Sequence, residues 1–431
     1  MRVVVTGATG LIGSAIVARL VAQGHDVTGV ARDIETAMRR LPQVRWLSLS
    51  LSRRTAPDVW LPHLSGADAV INCAGTLQSG PGESVQGVHS EGPAALFAAC
   101  ERAGVRRVVH FSAIGVDRET PSSFSRSKLQ GDEALMASAD LDWVILRPSV
   151  VVGRSAYGGS ALFRGLAALP LLPVMPDTAR LQVVQLDEVA DTALFFIRAE
   201  APARLALELV GSERLSFAQI VGHYRRWLGL ADARQWEVPG WLSGLLYRLG
   251  DFAGLLGWRP PMRSTARREI VRGAVGDPTE WTRITGITPR SLSAALAAEP
   301  PSVQERWFSG LYFVKGLLFT VFSLFWIMTG IISLGPGWEI GVGYMLEGGA
   351  GRLAAPSVVA GAIADILIGV AIAFRRTARL GLYAALAISV FYAIAGTVVL
   401  PRLWLDPLGP MLKIWPIMVL NLVGLAILRD R

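Results

Sequence analysis

Cysteine is close to absent. Two residues in 431, Cys73 and Cys100, exclude a disulfide framework, and neither has partners at metal-ligand spacing, so no metal site is expected. Both read as small core residues of a reducing compartment. Lysine is scarcer than the net charge of +8 suggests: of 42 basic residues only Lys128, Lys315 and Lys413 are lysine. The arginines are scattered without interleaved stacking aromatics, which argues against a nucleic-acid partner and favours anionic lipid. No cleavable signal peptide is expected ahead of the fold, because MRVVVTGATG reads as a strand entering a glycine turn. Beyond Trp307 come four long stretches with almost no charge. With 52 % hydrophobic residues and a mean hydropathy of +0.42, the chain is too apolar for one ordinary soluble domain.

The first thirty residues carry the densest pattern. Val3, Val4 and Val5 predict a short buried strand. Gly7, Gly10 and Gly13 follow at three-residue spacing, then Ile16, Val17 and Leu20 recur at helical period until Gly24. A second strand over 25–30 completes a βαβ unit. Glycines there let the backbone turn tightly and approach a pyrophosphate, which the helix N-terminus stabilises. Arg32 comes directly after the second strand, where a guanidinium accommodates a 2′-phosphate, favouring NADP(H) over NAD(H); the adjacent Asp33 offers the alternative of binding ribose hydroxyls. Further strands are expected over 69–72, 107–111 and 143–146, with a helix over 94–103 ended by Gly104. This alternation means an α/β, Rossmann-type doubly wound parallel sheet.

TGATGLIG, DAVINCAG, VVHFSAIG, SRSK, LRPSVVVG and VVQLDEVADTA, in that order, resemble the short-chain dehydrogenase/reductase family. The likeness is strongest to its extended and atypical branch, which includes the complex I accessory NADPH-binding subunit, and it covers roughly residues 1–225. It implies that Gly7, Thr9, Gly10, Leu11, Ile12 and Gly13 hold the phosphates. It also implies that Asn72, Cys73, Ala74 and Gly75 line the adenosine side, that Lys128 binds the nicotinamide ribose, and that Pro148 to Val151 sit beside the nicotinamide.

The same resemblance exposes a departure. Active members place a tyrosine four residues before the lysine, on the same helix face, to give or take the proton that accompanies hydride transfer. This chain has Phe124 there, and a phenyl ring cannot donate a proton. Ser112 is the candidate for the catalytic serine, although the family's slot falls nearer Ile114, and His89 stands where an asparagine is common. Three readings follow. Ser125, Ser127 or a substrate-bound water supplies the proton; a quinone-like or flavin-like acceptor draws protons from solvent; or the domain binds NADP(H) without turnover, regulating or assembling a membrane protein partner.

Residues 226–306 read as a helical cap and linker. Asp187, in the acidic first turn of an expected helix, reads as a structural cap. In WLSGLLYRLGDFAGLLGWRPPMRSTARR, Leu245, Leu249, Phe252 and Leu256 share a helical face between Trp241 and Trp258, with Arg259, Arg263, Arg267 and Arg268 following. That pattern fits either a helix in the membrane interface or a core helix of the lid. In both cases an apolar pocket wall and a lipophilic substrate are expected.

Residues 307–431 hold apolar stretches over 311–334, 357–374, 380–400 and 411–428, each long enough to cross ~30 Å of hydrocarbon. The loop with Arg375, Arg376 and Arg379 is placed inside, which makes an integral membrane protein with four spans and with cytoplasmic N- and C-termini. Trp307, Trp338, Trp404 and Trp415 mark the span ends. This module resembles the DoxX-like family through helix number, length and position. Asp365, inside the second stretch, is a candidate functional carboxylate or else a hydrogen-bond partner of Asn421.

Overall fold

The computed structural model describes residues 1–53, 56–80 and 83–428. The chain forms two compact units, 1–251 with 261–309, and 252–260 with 310–431.

In the first unit β1 (Arg2–Thr6), α1 (Leu11–Ala22) and β2 (Asp26–Ala31) form the opening βαβ turn. The short α2 (Glu35–Arg40), β3 (Arg45–Ser48) and α3 (Leu61–Leu64) follow. Then come β4 (Ala69–Asn72), α4 (Gly92–Ala103), β5 (Arg107–Phe111), α5 (Ser123–Met136) and β6 (Asp142–Pro148). After β6 the chain adds β7 (Val150–Val152), α6 (Gly158–Ala167), β8 (Leu171–Val174), β9 (Leu181–Gln185), α7 (Leu186–Phe196) and β10 (Leu205–Leu209). Seven strands make one parallel sheet in the order β10-β6-β5-β4-β1-β2-β3. All four residues of β4 are buried, as expected of a strand covered on both faces. The polarity of β3 and the long excursion before β10 hide two edge strands from a periodicity argument.

One face of the sheet packs on α1 and α7 through Ile16, Val17, Leu20, Val189 and Ala193, and the other on α4 through Leu96, Phe97 and Cys100. Asp187, in the first turn of α7, pairs with Arg19 at 3.2 Å and Arg290 at 3.4 Å, tying α1 and α7 together. The backbone N–H groups at the start of α5 are satisfied by a capping box: Ser122 Oγ accepts from the N–H groups of Phe124 and Ser125, and Ser125 Oγ accepts from Ser122 N–H. This fixes the pitch of the helix that carries Phe124 and Lys128. The unit is completed by β11 (Arg214–Leu215), α8 (Phe217–Trp227), β12 (Arg234–Glu237), α9 (Gly240–Leu255, whose last turn belongs to the second unit), α10 (Ser264–Arg272), α11 (Thr279–Thr285) and α12 (Leu292–Ala298).

The second unit is helical: α13 (Val303–Leu334, entering from the first unit), α14 (Trp338–Glu347), α15 (Ala354–Ala373), α16 (Ala378–Val399) and α17 (Ile414–Ile427). Among the described residues three helical stretches, Val303–Leu334, Gly351–Ala373 and Ala378–Val399, are long and apolar enough to cross a membrane. The fourth expected span is helical for only 14 residues, about 21 Å at the α-helical rise. The segment after the first span contains α14, and its Glu347 pairs with Arg402 through two 2.6 Å bonds. Gly369 lets α15 approach α13, since a Cβ there would lie 2.7 Å from the Ser323 carbonyl oxygen, and Ser323 Oγ donates to Gly369 O at 2.9 Å. Asp365 corrects one expectation. Its partner is Tyr392, whose hydroxyl donates at 3.0 Å, whereas Asn421 turns its amide to Ile417 O.

Candidate active site

The glycine turn between β1 and α1 is shaped by contacts that tolerate no side chain. Gly7 sits at φ +64°, and a Cβ on it would lie 2.8 Å from Ala74 backbone atoms; on Gly13 it would lie 2.3 Å from Gly7 O. A Cβ on Gly10 meets only Gly7 O, at 3.2 Å, so its other side is open. No side chain caps the α1 N-terminus, which leaves its first-turn N–H groups, those of Leu11, Ile12 and Gly13, for an anion. Thr9 lies in the turn just before them.

Across the sheet, Asn72 is fully buried and points inward. It accepts from Thr6 Oγ1 at 2.6 Å and from Ala74 N–H at 3.2 Å, and its amide reaches His110 Nδ1 at 2.9 Å. Its side chain therefore holds the Cys73–Gly75 turn against β1. Burial pushes the Cys73 thiol up, away from thiolate formation. Beyond β2, the Arg32 guanidinium pairs with Glu83. The Asp33 carboxylate accepts from Glu35 N–H at 3.2 Å, at the start of α2.

Lys128 lies under the far end of this cradle. It is 4 % exposed, and its Nζ donates to Phe111 O at 2.7 Å and Ala74 O at 3.5 Å. A Cβ on Gly75 would sit 3.5 Å from that Nζ, so the lysine meets the turn after β4, the one that packs on Gly7. Desolvation pulls the ammonium pKa down to about 8, with Asp132 and Cys73 opposing the fall. One turn further along α5, fully buried Asp132 accepts from Arg147 Nε at 3.1 Å and Nη2 at 3.0 Å, and its other oxygen lies 3.6 Å from His110 Nε2. Burial raises the Asp132 pKa, an effect that Ser112, Arg147 and Lys128 counter. The buried Ser112 hydroxyl is turned toward this carboxyl but completes no hydrogen bond of full geometry. The Ser149 hydroxyl, next to Pro148, is also buried without a partner. Val151 lies two residues further on, in β7.

The hydroxyls nearest Phe124 are already engaged. Ser125 Oγ donates to Glu269 Oε1 at 2.9 Å, and Ser122 Oγ donates to the same oxygen at 2.5 Å. Ser127 Oγ donates to Phe124 O at 3.0 Å. Thr76 N–H donates to His89 Nε2 at 3.0 Å, so the His89 proton belongs on Nδ1, 2.9 Å from Ser127 Oγ. Burial, with Lys128 and His110 nearby, holds the His89 pKa well below its ordinary value and keeps the ring neutral. The ring meets Phe124 edge to face, with centroids 5.4 Å apart. The hydroxyl protons of Ser125 and Ser127 thus point to Glu269 and to Phe124 O.

A dinucleotide fits these residues: glycines whose Cβ positions are blocked by backbone, an uncapped helix N-terminus, a buried cation, and buried hydroxyls without full partners at the ends of β5 and β6. The structure brings Gly7, Gly10, Gly13, Ala74, Gly75 and Lys128 together. Sequence reasoning missed Asp132, although it stands four residues after Lys128 on the same face. It also missed Glu83 and Glu269, whose partners lie 51 and 144 residues away along the chain.

Residues 7–164 match the NAD(P)H-binding family, and residues 323–422 match the DoxX-like family. Sterol demethylase protein B of Methylococcus capsulatus is 30 % identical over 344 residues, covering 71 % of this chain and 99 % of that protein. Ceramide reductase of Caulobacter vibrioides is 27 % identical, covering 51 % of this chain and 68 % of that protein. The photosystem II assembly factor Ycf39 of Synechocystis is 27 % identical, with 56 % and 71 % covered.

Proposed function

The chain belongs to the atypical short-chain dehydrogenase/reductase family and carries a DoxX-like domain at its C-terminal side, and from that premise we propose that it is a membrane-anchored, NADP(H)-dependent reductase of a lipophilic carbonyl or quinone-like acceptor. The observation that carries this reading is the buried Lys128 held against the Ala74–Gly75 turn after β4, while Phe124 occupies the proton donor's place. Bound NAD(P)H supplies a hydride. Gly7–Gly13 and the first turn of α1 hold the pyrophosphate; Lys128 orients the ribose on the nicotinamide side; Pro148 to Val151 wall the ring. Because Ser125 and Ser127 spend their protons on Glu269 and on Phe124 O, the proton comes from water at the acceptor. An acceptor whose reduced form takes protons readily from solvent suits such a site. Two relatives named for a sterol and a ceramide support a long or polycyclic lipid as its class.

Arg32 supports NADP(H). It is exposed enough to turn from Glu83 toward a 2′-phosphate, while Asp33 is occupied at the start of α2. Arg32→Ala should weaken NADPH binding about tenfold, the loss of one charge-assisted contact, and leave NADH unchanged in parallel titrations. We place four spans in the membrane, with α17 the shortest, and both termini on the side of the Arg375–Arg379 loop.

The full chain in detergent should oxidise NADPH steadily when given lipid ketones or quinones. A chain that binds NADPH yet oxidises it with none of these acceptors supports the second reading, a non-catalytic coenzyme-binding module. Phe124 favours that alternative, as does the likeness to an assembly factor.

A further inference from the structure

α9 is amphipathic the wrong way round for a core helix. Its inward face carries Ser243, Tyr247, Gly250 and Gly254, all buried. Gly250 packs so closely that a Cβ would lie 1.8 Å from Met262 O. Its large apolar residues point outward: Trp241 is 73 % exposed, Leu245 45 %, Leu249 53 %, Phe252 59 % and Leu255 75 %. Leu255 completes this face in place of Leu256, which the sequence pattern grouped with Leu245, Leu249 and Phe252 and which is half-buried. Along 16 residues this makes a continuous apolar stripe, which water alone does not favour.

Two observations identify what covers it. The charge around the stripe is basic: Arg248, Arg259, Arg267 and Arg268 are exposed, whereas the helix's one acid, Asp251, is tied to Arg263 at 3.2 Å and to Ser264. In addition, the last turn of α9 enters the helical unit. There Leu256 O accepts from Arg375 N–H at 2.9 Å, and the Trp258 indole N–H donates to Ala373 O at 2.7 Å, at the end of α15. The end of a membrane-crossing helix lies at the lipid headgroup layer, so the last turn of α9, which belongs to that unit, lies near this depth.

We propose that α9 lies in the bilayer interface, with Trp241, Leu245, Leu249, Phe252 and Leu255 in the acyl boundary and the arginines among anionic headgroups. This surface is separate from the coenzyme cradle, and its test requires no turnover. The full chain carrying Leu249→Cys, labelled with an environment-sensitive fluorophore, is placed in nanodiscs of equal phosphatidylcholine and phosphatidylglycerol. Arg39→Cys, on exposed α2, is the aqueous control, and the unsubstituted chain is the labelling blank. Nitroxide attached high on the lipid acyl chain should quench the Leu249→Cys probe about threefold or more beyond the control, as expected for a side chain ~5–10 Å into the interface, while iodide quenches only the control. Equal iodide quenching at both positions would overturn the proposal. Protection of the Leu249→Cys probe from both quenchers would overturn it too, because a second copy or a protein partner would then cover the stripe.

Discussion

Lys128→Met should lower kcat/KM for NADPH-dependent reduction by about 100- to 1000-fold, the loss that accompanies removal of one preorganised charge in a dry site. The substitution keeps the volume of the side chain but removes its ammonium. Folding should tolerate it, because keeping that group charged at neutral pH, with its pKa drawn from 10.5 to about 8, costs on the order of 3 kcal/mol. The loss of the 2.7 Å bond to Phe111 O offsets part of the relief. Thermal stability without coenzyme should therefore hold while coenzyme affinity falls. The same charge sets a pH dependence. A lysine with a lowered pKa is protonated below about 8 and neutral above it, so NADPH affinity should be flat at neutral pH and weaken as pH rises through 8. The methionine variant should lack that limb. Calorimetric titrations across pH 6.5 to 9.5 (a range of about one and a half units either side of the midpoint) check both statements.

Asp132→Asn should have the opposite profile, a large loss of stability. The carboxylate is fully buried and takes two hydrogen bonds from Arg147, which is itself 8 % exposed. Removing one partner of such a pair leaves an uncompensated charge and costs ~3–5 kcal/mol. Asp117, 2.5 Å from the other arm of Arg147 and 39 % exposed, recovers only part of it. The midpoint for thermal loss of coenzyme binding should drop by roughly 10 °C. Because Asp132 also raises the Lys128 pKa, any variant that remains folded should lose NADPH affinity at a lower pH than the unsubstituted chain. A mutation acting only through general destabilisation would not move that limb.

Local signals carried the doubly wound sheet a long way. Strands over 69–72 and 107–111 were legible because they are short, have apolar centres and are bounded by turn residues, and Gly104 closes its helix in the left-handed region. The edges were not legible. β3 is RWLS with no buried residue, and β10 becomes a strand only by pairing with β6 across more than fifty residues. In the site, the cradle glycines were found because their chemistry follows from spacing, and Lys128 through the family resemblance. The commitment of Ser125 and Ser127, which decides where a proton comes from, depends on Glu269 and on a backbone carbonyl that no spacing rule connects to them. α9 was legible as an amphipathic helix, yet which face looks outward is settled only by the burial of Ser243 and Gly250.

The central claim, that the first unit is a pyridine-coenzyme cradle built around Gly7–Gly13 and Lys128, is tested most directly by titrating the detergent-purified full chain with NADPH and with NADH in a calorimeter. The account predicts one NADPH bound per chain, tighter than NADH at neutral pH. Heat signals indistinguishable from dilution for both nucleotides would contradict it.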